Sequence, residues 1–570
     1  MANPFLRQFQ VQPVLESSST IADCRMIDRA WSLADSVSRR VKPYRVGTLL
    51  ANLTAKAFEW ARRFFWGMSM FGDRFERFRS SHWSGFFLIF LLALGLRFYA
   101  LGQESLWIDE IRTYWFASST WERVWVEYPT LEVHPPLYFA LLKLWMGVFG
   151  TTEAAMRSLA CLFSLTALTF VYLTARIVTG KQSNHPAWIA ALVFAIATQQ
   201  IQYAQEVRFY SALTMAFAMV VYATVWFLNN PNSARDPIWA PRSRPAWLAY
   251  VCLALGSALL MWFHSLGALY NLSFALVMGV WWARVHRASL TVLINFSLVV
   301  AVALLIYSPS IANLFNTLFN MQAGGYWISA PSLERLAELF AFTYGFEQPY
   351  ANKIDFALTT LVVAVAGVGG YGIWRSGRQQ MALALIVFSF MPFLLSTLIT
   401  YGLQPTLLDR TLVPMFAPWS VLIGASVLTK FRYRAGLAAL VVVLVAYGAY
   451  AVDYYREMRK EPWRDVVGYV ADNAAPDEPV FLLNNIIQIA FDYYLRDSDA
   501  QLDLRPLPDR FPANRDTYLY PIGGRSEPMI TDARAREAFD QVAGAQRIWM
   551  VARSSFRFEE TQGYAKDYYA

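Results

Sequence analysis

Charged residues and cysteines are scarce in this chain of 570 residues. Only 16% of the residues are charged, whereas 56% are hydrophobic and 16% are aromatic. A soluble globular chain of this length needs far less apolar surface, so we expect the lipid bilayer to be the main solvent of the folded protein. The three cysteines, two of them within apolar runs, give no basis for a disulfide framework or a zinc site.

Further absences narrow the range of functions. The sequence contains no G-x-x-x-x-G-K-[ST] phosphate loop, and it shows no internal repeat or low-complexity tract. The net charge of +8 could suggest nucleic-acid binding, but the basic residues fall in short loops between apolar runs, where they set membrane orientation. We therefore expect no nucleic-acid partner.

Long apolar runs are abundant, and they indicate a polytopic α-helical membrane protein. Runs near the roughly 20 residues that cross a bilayer predict about eleven transmembrane helices. Their expected positions are about 84–101, 154–178, 187–201, 208–228, 246–263, 266–283, 290–308, 356–374, 381–400, 411–429 and 435–452. Arg and Lys residues before the first run and in alternate loops predict that those loops are cytoplasmic. The loop at about 102–153 and the C-terminal tail are then outside.

The sequence divides into three regions. Residues 1–83 are expected to be a cytoplasmic segment with an amphipathic stretch, K-A-F-E-W-A-R-R-F-F-W-G-M-S-M-F, on the membrane surface. A start at Met68 or Met70 is the alternative. Residues 84–455 form the transmembrane module, and residues 456–570 alternate helical stretches with short apolar strands. This last region predicts a small extracytoplasmic α/β domain.

Two outer loops have distinctive compositions. In the first, W-E-R-V-W-V-E-Y and L-Y-F-A-L-L-K-L-W-M-G-V-F mix aromatic residues with sparse charge and predict interfacial helices. The second, at about 309–355, carries G-G-Y-W-I and F-T-Y-G-F-E-Q-P-Y. Its glycines and aromatics suit either a mobile lid over a pocket or an ordinary loop.

An acidic pair follows the first span in S-L-W-I-D-E-I-R-T-Y. Asp109 and Glu110 are adjacent, so on a helix their side chains diverge by about 100° and one of them must act alone. We expect Asp109 to have a raised pKa and to act as a general base, with Glu110 in support. An acidic N-cap of a helix at the membrane surface is the alternative.

A histidine closes the same loop in H-P-P-L-Y-F. His134 cannot be helical, because Pro135 disfavours the α region for the preceding residue. The side chain could bond an acceptor, orient Asp109 or assist a metal ion. A histidine that caps a juxtamembrane helix is the alternative.

A third polar cluster, I-Q-Y-A-Q-E-V-R-F-Y-S, fills a short outer turn. Charges this close to hydrocarbon are costly and usually functional. Arg208 offers a planar fork of donors for a phosphate group, and Glu206 could hold that guanidinium. A simple Glu206–Arg208 pair that closes a helical hairpin is the alternative. Weaker candidates are His264 in W-F-H-S and Arg410 in L-L-D-R-T-L-V-P.

Taken in order, the D-E motif, H-P-P-L-Y and Q-E-V-R-F-Y resemble the GT-C superfamily of membrane glycosyltransferases over roughly residues 84–430. Within it, the likeness is to the bacterial branch related to protein O-mannosyltransferases and lipid A aminoarabinose transferase. K-E-P-W-R-D-V-V-G-Y-V also looks like the stretch that often follows the last span in this branch.

The resemblance implies an inverting transfer of a sugar from a polyprenyl-phosphate donor at the outer face of the membrane. It implies that Asp109 is the catalytic base beside Glu110. The phosphate of the lipid would be held by Arg208, with Gln205, Tyr210 and Arg410 assigned to the same site. The remaining candidates, His134, Glu206 and His264, would support the acceptor or the active site. A divalent metal ion is permitted but not required.

The acceptor is expected to be a hydroxyl group of an envelope glycolipid, polysaccharide or protein. A protein is the less favoured of these, because the chain lacks the tandem sugar-binding repeats of eukaryotic protein O-mannosyltransferases. Three other functions remain open. The chain could be a transporter or lipid flippase, although such proteins place their ionisable residues near the bilayer midplane. It could be a glycan polymerase or ligase with a lipid-diphosphate donor, or a scaffolding protein.

Overall fold

The computed structural model describes most of the chain between residues 82 and 553. The described residues are the backbone of 9–13, followed by 82–127, 134–180, 183–285, 287, 289–312, 314–315, 328, 330–346, 353–429, 433–457, 460–512, 530 and 532–553. The predicted amphipathic stretch at 56–71 lies outside them, as does much of the predicted lid at 309–355.

Helices form nearly all of the regular structure before residue 455. The first seven helices named here are α1 (His82–Phe98), α2 (Ile108–Ser118), α3 (Leu137–Phe149), α4 (Glu153–Thr179), α5 (His185–Ile196), α6 (Thr198–Gln202) and α7 (Tyr210–Asn229). They are followed by α8 (Arg244–Phe263), α9 (Gly267–Val285), α10 (Leu290–Tyr307), α11 (Leu333–Tyr344), α12 (Lys353–Arg375), α13 (Gln379–Gly402), α14 (Asp409–Leu412), α15 (Phe416–Gly424) and α16 (Tyr433–Tyr454).

Within the described ranges, nine helices are long and apolar enough to cross a membrane, and a bent helix pair adds a tenth. Together with α1, an apolar helix of 17 residues, these elements coincide with the eleven predicted runs. The prediction of a polytopic α-helical membrane protein is therefore confirmed.

Two spans form the centre of the bundle. In α7, and in the span Asp409–Leu428 that includes α14 and α15, 83% of the most apolar window is buried, against 22% in Gly436–Tyr454. Arg208 closely precedes α7, and Arg410 lies in the first turn of α14. The two most enclosed spans thus each bring one arginine to the same part of the molecule.

The predicted span at 187–201 is broken rather than continuous. Helices α5 and α6 meet at a bend of 62°, and Ala197 between them has an extended backbone. The fully buried guanidinium of Arg97 donates to the carbonyl oxygens of Ala195 and Phe194, at 3.0 and 3.4 Å. These carbonyls lose their helical partners at the break, so Arg97 offsets the cost of leaving them unpaired.

The long loop after α1 folds back as α2 and α3. His134 is not helical, as predicted, and α3 begins at Leu137 directly after the two prolines. The predicted helix in W-E-R-V-W-V-E-Y is one wide turn at Arg123–Glu127. On α3, Leu144, Val148 and Phe149 are exposed, which fits the apolar face expected of an interfacial helix.

The C-terminal region is a small α/β domain, as predicted. Strand β2 (Pro479–Leu483) is parallel to both β3 (Asp503–Leu507) and β4 (Trp549–Arg553). Its core contains the apolar side chains Phe481, Leu483, Leu507 and Val542. Helices α17 (Trp463–Asn473), α18 (Gln488–Tyr494) and α19 (Asp532–Asp540) also belong to the described part of the domain.

A strand from the start of the chain joins this sheet. Strand β1 (Phe9–Pro13) pairs antiparallel with β4, so the strand order is β1-β4-β2-β3. Paired strands must lie on one side of a membrane. Strand β1 belongs to residues 1–83, which are expected to be cytoplasmic. That expectation cannot hold for β1 if the C-terminal domain is extracytoplasmic.

Candidate functional site

Asp109 lies in the first turn of α2, beside an arginine from the centre of the bundle. Nη1 of Arg410 is 3.1 Å from Oδ2 of Asp109, and the two side chains remain 18% and 24% exposed. Arg208 reaches the same turn: its Nη1 donates to Oγ1 of Thr113 at 2.9 Å and to the backbone oxygen of Asp109 at 3.4 Å. Two guanidinium groups therefore flank a partly accessible carboxylate.

These arginines decide the ionisation of Asp109. Burial raises the pKa of the carboxyl, but Arg208 and Arg410 more than offset it and lower the pKa to about 2. The expectation of a raised pKa is therefore wrong. Without a ligand on the arginines, Asp109 is fully ionised at neutral pH and is a weak base.

Glu110 points the other way, into the protein. It is fully buried, and its carboxylate accepts two hydrogen bonds from Arg157, at 2.9 Å from Nε and 2.7 Å from Nη2. The Nζ of Lys460 lies 3.3 Å away, and the backbone N–H of Val207 donates at 2.8 Å. Burial raises the pKa of Glu110, but Arg157 and Lys460 outweigh it and hold the value at about 2.

The two acidic side chains therefore diverge, as their adjacency predicted. Asp109 faces Arg410, whereas Glu110 ties α2 to α4 and to the turn before α7. Because Glu110 has no exposed surface, its support for Asp109 is structural and it cannot touch a substrate in this arrangement.

Arg157 and Lys460 are the site residues that sequence reasoning missed. Arg157 sits in an apolar run of α4, where an ionisable side chain is usually functional or paired. That signal could have found it. The contact of Lys460 with Glu110 spans 350 residues of sequence, and no local pattern indicates it.

The polar turn before α7 contains two residues that behave differently from expectation. The Nε2 of Gln205 donates to the backbone oxygens of Arg97 and Tyr99, at 3.1 and 2.8 Å, and its Oε1 accepts from the hydroxyl of Tyr454 at 3.0 Å. Both ends of the amide are thus occupied, which leaves Gln205 no free donor for the predicted phosphate contact. It closes the end of α1 instead.

Among the described residues, no ion pair or hydrogen bond of the predicted kind joins Glu206 to the Arg208 guanidinium, whose Nη1 donates to Thr113. Glu206 is buried, and its Oε2 has no hydrogen-bond partner among the described residues. Burial raises the pKa of this carboxyl, against the lowering effect of the nearby Lys460.

Arg208 is fixed by aromatic rings as well as by Thr113. Its guanidinium carbon lies 5.0 Å from the ring centroid of Phe209 and 5.8 Å from that of Tyr210, within the range of cation–π attraction. Tyr210 is buried. The structure therefore brings Tyr210 to Arg208, and the ring helps to position the guanidinium.

His134 and His264 meet beside the same arginine. Their ring centroids are 4.9 Å apart, and both rings contact Phe209. Burial, followed by the charges of Arg208 and Arg410, lowers the pKa of His134 well below its usual value, so the ring is neutral. The Nδ1 of His264 accepts from the backbone N–H of Leu266 at 3.0 Å.

The described residues provide no cluster of donors for a metal ion. Among the described residues, no three side chains of His, Cys, Asp or Glu lie close enough together to hold an ion. The site combines one carboxylate, two guanidinium groups and two imidazoles. Such a site can hold an anion between the arginines while the carboxylate faces a hydroxyl group.

Comparison with known proteins gives only distant matches. No family model matches the chain, and no curated protein does. Its structure is similar to that of ArnT from Cupriavidus metallidurans in the apo state, with 17% identity, 75% of this chain and 87% of that chain covered, and a TM-score of 0.49. The same protein bound to undecaprenyl phosphate matches over the same shares with 16% identity and a TM-score of 0.48.

The oligosaccharyltransferase of Archaeoglobus fulgidus in the apo form also matches. The identity is 13%, the match covers 76% of this chain and 62% of that chain, and the TM-score is 0.49. At these identities and TM-scores, function must be argued from the site itself.

Proposed function

We propose that this protein is a polyprenyl-phosphate-sugar-dependent glycosyltransferase. It transfers a sugar to a hydroxyl group of an envelope glycolipid, polysaccharide or protein, with Asp109 as the general base. The observation that carries the proposal is the pairing of the partly accessible Asp109 with Arg410, 3.1 Å away, on a turn that Arg208 also contacts.

The two arginines form the phosphate site of the proposed donor. Each comes from the start of one of the two most enclosed spans, so a lipid phosphate held there can keep its chain among the helices. Guanidinium groups bind phosphate oxygens through charge-assisted hydrogen bonds. They also stabilise the charge that develops when the phosphate leaves the sugar.

Donor binding also activates Asp109. In the free protein the arginines lower the pKa of Asp109 to about 2, which makes it a poor proton acceptor. A phosphate that accepts hydrogen bonds from Arg208 and Arg410 neutralises part of their charge. The opposing effect of burial then raises the pKa, and the carboxylate gains basicity only when the donor is present.

The acceptor hydroxyl loses its proton to Asp109 as its oxygen attacks the anomeric carbon of the sugar. The bond from that carbon to the phosphate oxygen breaks, and the phosphate leaves from the opposite face. The configuration is therefore inverted. The rings of His134 and His264, of which that of His134 is neutral, lie beside Arg208 and are proposed to support the acceptor.

The positive loops between spans support an orientation with this site on the extracytoplasmic face of the inner membrane. The ionisable candidates gather at helix ends: Asp109 follows α1, Arg208 precedes α7 and Arg410 begins α14. A transporter would be expected to place such groups near the bilayer midplane, so transfer fits the arrangement better.

The test is mass spectrometry of envelope glycolipids and glycans from a strain that lacks the gene. The strain is complemented at matched expression with wild type, with Asp109→Asn, or with the control Asp503→Asn. Asp503 is also a carboxylate paired with an arginine, 2.8 Å from Arg505, but it lies on β3 of the C-terminal domain.

We expect one sugar increment with wild type and with Asp503→Asn, and none with Asp109→Asn. The identity of the restored glycan names the acceptor. If Asp109→Asn restores the same glycans as wild type, the proposal is wrong, and transport or scaffolding becomes the better account.

A further inference from the structure

The start of the C-terminal domain packs directly against the loop that carries Asp109. Residues 460–464 follow the last span and lead into α17. Lys460 contacts Glu110, as described above, and Arg464 donates to the backbone oxygens of Gln103 and Gly102, at 3.1 and 3.3 Å. This short segment therefore touches both the loop before α2 and the first turn of that helix.

Glu461 is the centre of this contact. Its Oε2 accepts a hydrogen bond from the backbone N–H of Ile108 at 3.0 Å and another from Nε1 of Trp463 at 2.7 Å. Its Oε1 accepts from Nε of Arg553 at 2.6 Å. The backbone oxygen of Glu461 accepts from the hydroxyl of Ser105 at 2.6 Å.

The bond between Glu461 and Ile108 caps helix α2, for which the preceding residue provides no side-chain cap. The first N–H groups of a helix have no partner within it and are usually satisfied by a nearby Ser, Thr, Asp or Asn. The residue before α2 is Trp107, whose side chain has no oxygen. The carboxylate of Glu461, 353 residues away, bonds to Ile108 instead, and Ile108 is the neighbour of Asp109.

Other contacts fix the positions of Glu461 and of the loop before α2. Arg553 belongs to β4, so one strand of the sheet fixes the carboxylate that caps α2. The hydroxyl of Tyr494 on α18 accepts from the backbone N–H of Leu106 at 2.7 Å. The sheet and a helix of the C-terminal domain thus both contribute to the position of this turn.

We propose that Glu461 is a positioning residue for Asp109, and that Arg553 holds Glu461 in place, so that the C-terminal domain sets the geometry of the site. This inference rests on the proposed function. It assigns to the domain a role in the chemical step that is separate from donor binding, because the described bonds of Glu461 do not involve Arg208 or Arg410.

The positioning role predicts that substitution of Glu461 changes kcat much more than KM. Glu461→Ala removes the cap and lets the first turn of α2 shift, and a misplacement of about 1 Å can cost roughly 10²-fold in rate. We expect kcat to fall by roughly 10–100-fold while KM for the lipid donor changes little. Glu461→Gln keeps an acceptor oxygen for Ile108 and should lose less. Arg553→Met should also lower kcat, but it removes in addition a positive charge that lowers the pKa of Asp109, so hydrogen exchange at α2 is the readout that isolates its effect on Glu461.

The test combines this assay with hydrogen–deuterium exchange on the full-length protein in detergent. Exchange is measured in peptides that cover residues 105–113, which include the amide of Ile108. The control is Arg505→Gln, which breaks an ion pair on β3 of the same domain without touching the loop. Wild type and the control should show equal protection, and Glu461→Ala should exchange faster in these peptides.

Faster exchange in 105–113 together with a lower kcat and an unchanged KM supports the proposal. Unchanged exchange in Glu461→Ala overturns it, whatever the transfer activity. Faster exchange with wild-type kcat also overturns it, because the cap would then have no effect on Asp109. If wild type itself transfers no sugar, the proposed function fails, whereas the exchange data still decide whether Glu461 caps α2.

Discussion

Nη1 of Arg410 lies 3.1 Å from Oδ2 of Asp109, although 301 residues separate the two positions in the chain. The arginine begins one of the two most enclosed spans of the bundle, and the carboxylate lies on a helix of the first long loop. The contact therefore joins the transmembrane core to the loop, and it lowers the pKa of the candidate base.

The pH dependence of transfer should change when Arg410 is removed. The pKa of Asp109 is about 2 in the free protein, so the carboxylate is ionised throughout the neutral and mildly acidic range. The pH profile of kcat/KM reports groups of the free enzyme, and wild type should show no acid limb from Asp109 in that range.

In Arg410→Gln the effect of burial is less opposed, the pKa rises, and an acid limb should move up into the measured range. Arg505→Gln is the control and should keep the wild-type profile. An Arg410→Gln profile that coincides with that of wild type would contradict the proposed coupling between Arg410 and Asp109.

Replacement of the Arg208 guanidinium should weaken donor binding more than the same replacement at an exposed arginine elsewhere. Arg208→Lys keeps the charge but loses the planar set of donors, and hydrogen bonds to charged groups are worth about 1.5–3 kcal/mol each. We expect binding of undecaprenyl phosphate to weaken by roughly 10–100-fold. The exposed Arg375, at the end of α12, offers the control Arg375→Lys. Equal affinities in the two variants would remove Arg208 from the phosphate site.

The buried pair of Glu110 and Arg157 should matter to stability as a pair. Removal of Glu110 leaves Arg157 and Lys460 buried without their carboxylate, and an uncompensated buried charge typically costs about 3–5 kcal/mol. Glu110→Leu should therefore lower the thermal unfolding temperature strongly, and Arg157→Met should lower it less, because Lys460 still lies 3.3 Å from Glu110. The double variant should recover part of the loss. Breaking the partly exposed pair Asp503–Arg505 should cost about 0–1 kcal/mol, and a similar cost at Glu110 would refute the argument.

The same pair predicts how stability depends on pH. The pKa of Glu110 is lowered from its ordinary 4.5 to about 2 in the folded protein. Its contribution to stability is therefore complete above the ordinary value and is lost as the pH falls towards 2. Acid unfolding of wild type should extend over this range. The double variant that combines Glu110→Leu with Arg157→Met should lose that part of the pH dependence, and an unchanged acid transition in this variant would assign it to other groups.

The bend between α5 and α6 should depend on Arg97. Arg97→Met leaves the carbonyl oxygens of Ala195 and Phe194 without their donors, at a cost of about 1–3 kcal/mol for each buried group left unpaired. We expect a lower unfolding temperature and reduced transfer, because the bend leads the chain to Arg208. Arg375→Met is the exposed control. A variant as stable and active as that control would show that Arg97 is dispensable at the bend.

The spans could be predicted because each is an apolar run of nearly the right length, and this signal is local in the sequence. The bend at Ala197 could not be predicted in the same way. Its carbonyl oxygens are satisfied by Arg97, which lies 97 and 98 residues earlier in the chain. An apolar run gives no sign of a donor that arrives from another helix.

The candidate site could likewise be predicted only in part. Asp109, Arg208 and Arg410 could be singled out because each is ionisable at the end of an apolar run, and the structure brings the three together. Their electrostatic balance could not be predicted, since the pKa of Asp109 is lowered by four arginines, of which Arg208 and Arg410 have the largest effect and come from separate spans. Gln205 was misassigned because a polar residue that closes a helix end has the same sequence signature as a ligand-binding one.

The most direct test of the central claim is release of the lipid carrier in membrane vesicles. Vesicles that contain wild type or Asp109→Asn at equal levels are supplied with the host's own polyprenyl-linked sugars, and the lipids are followed by mass spectrometry. The account predicts that wild type converts one polyprenyl-phosphate sugar into free polyprenyl phosphate, and that Asp109→Asn does so roughly 10²–10⁴-fold more slowly. Equal release by both proteins, or release of a polyprenyl diphosphate instead, would contradict it.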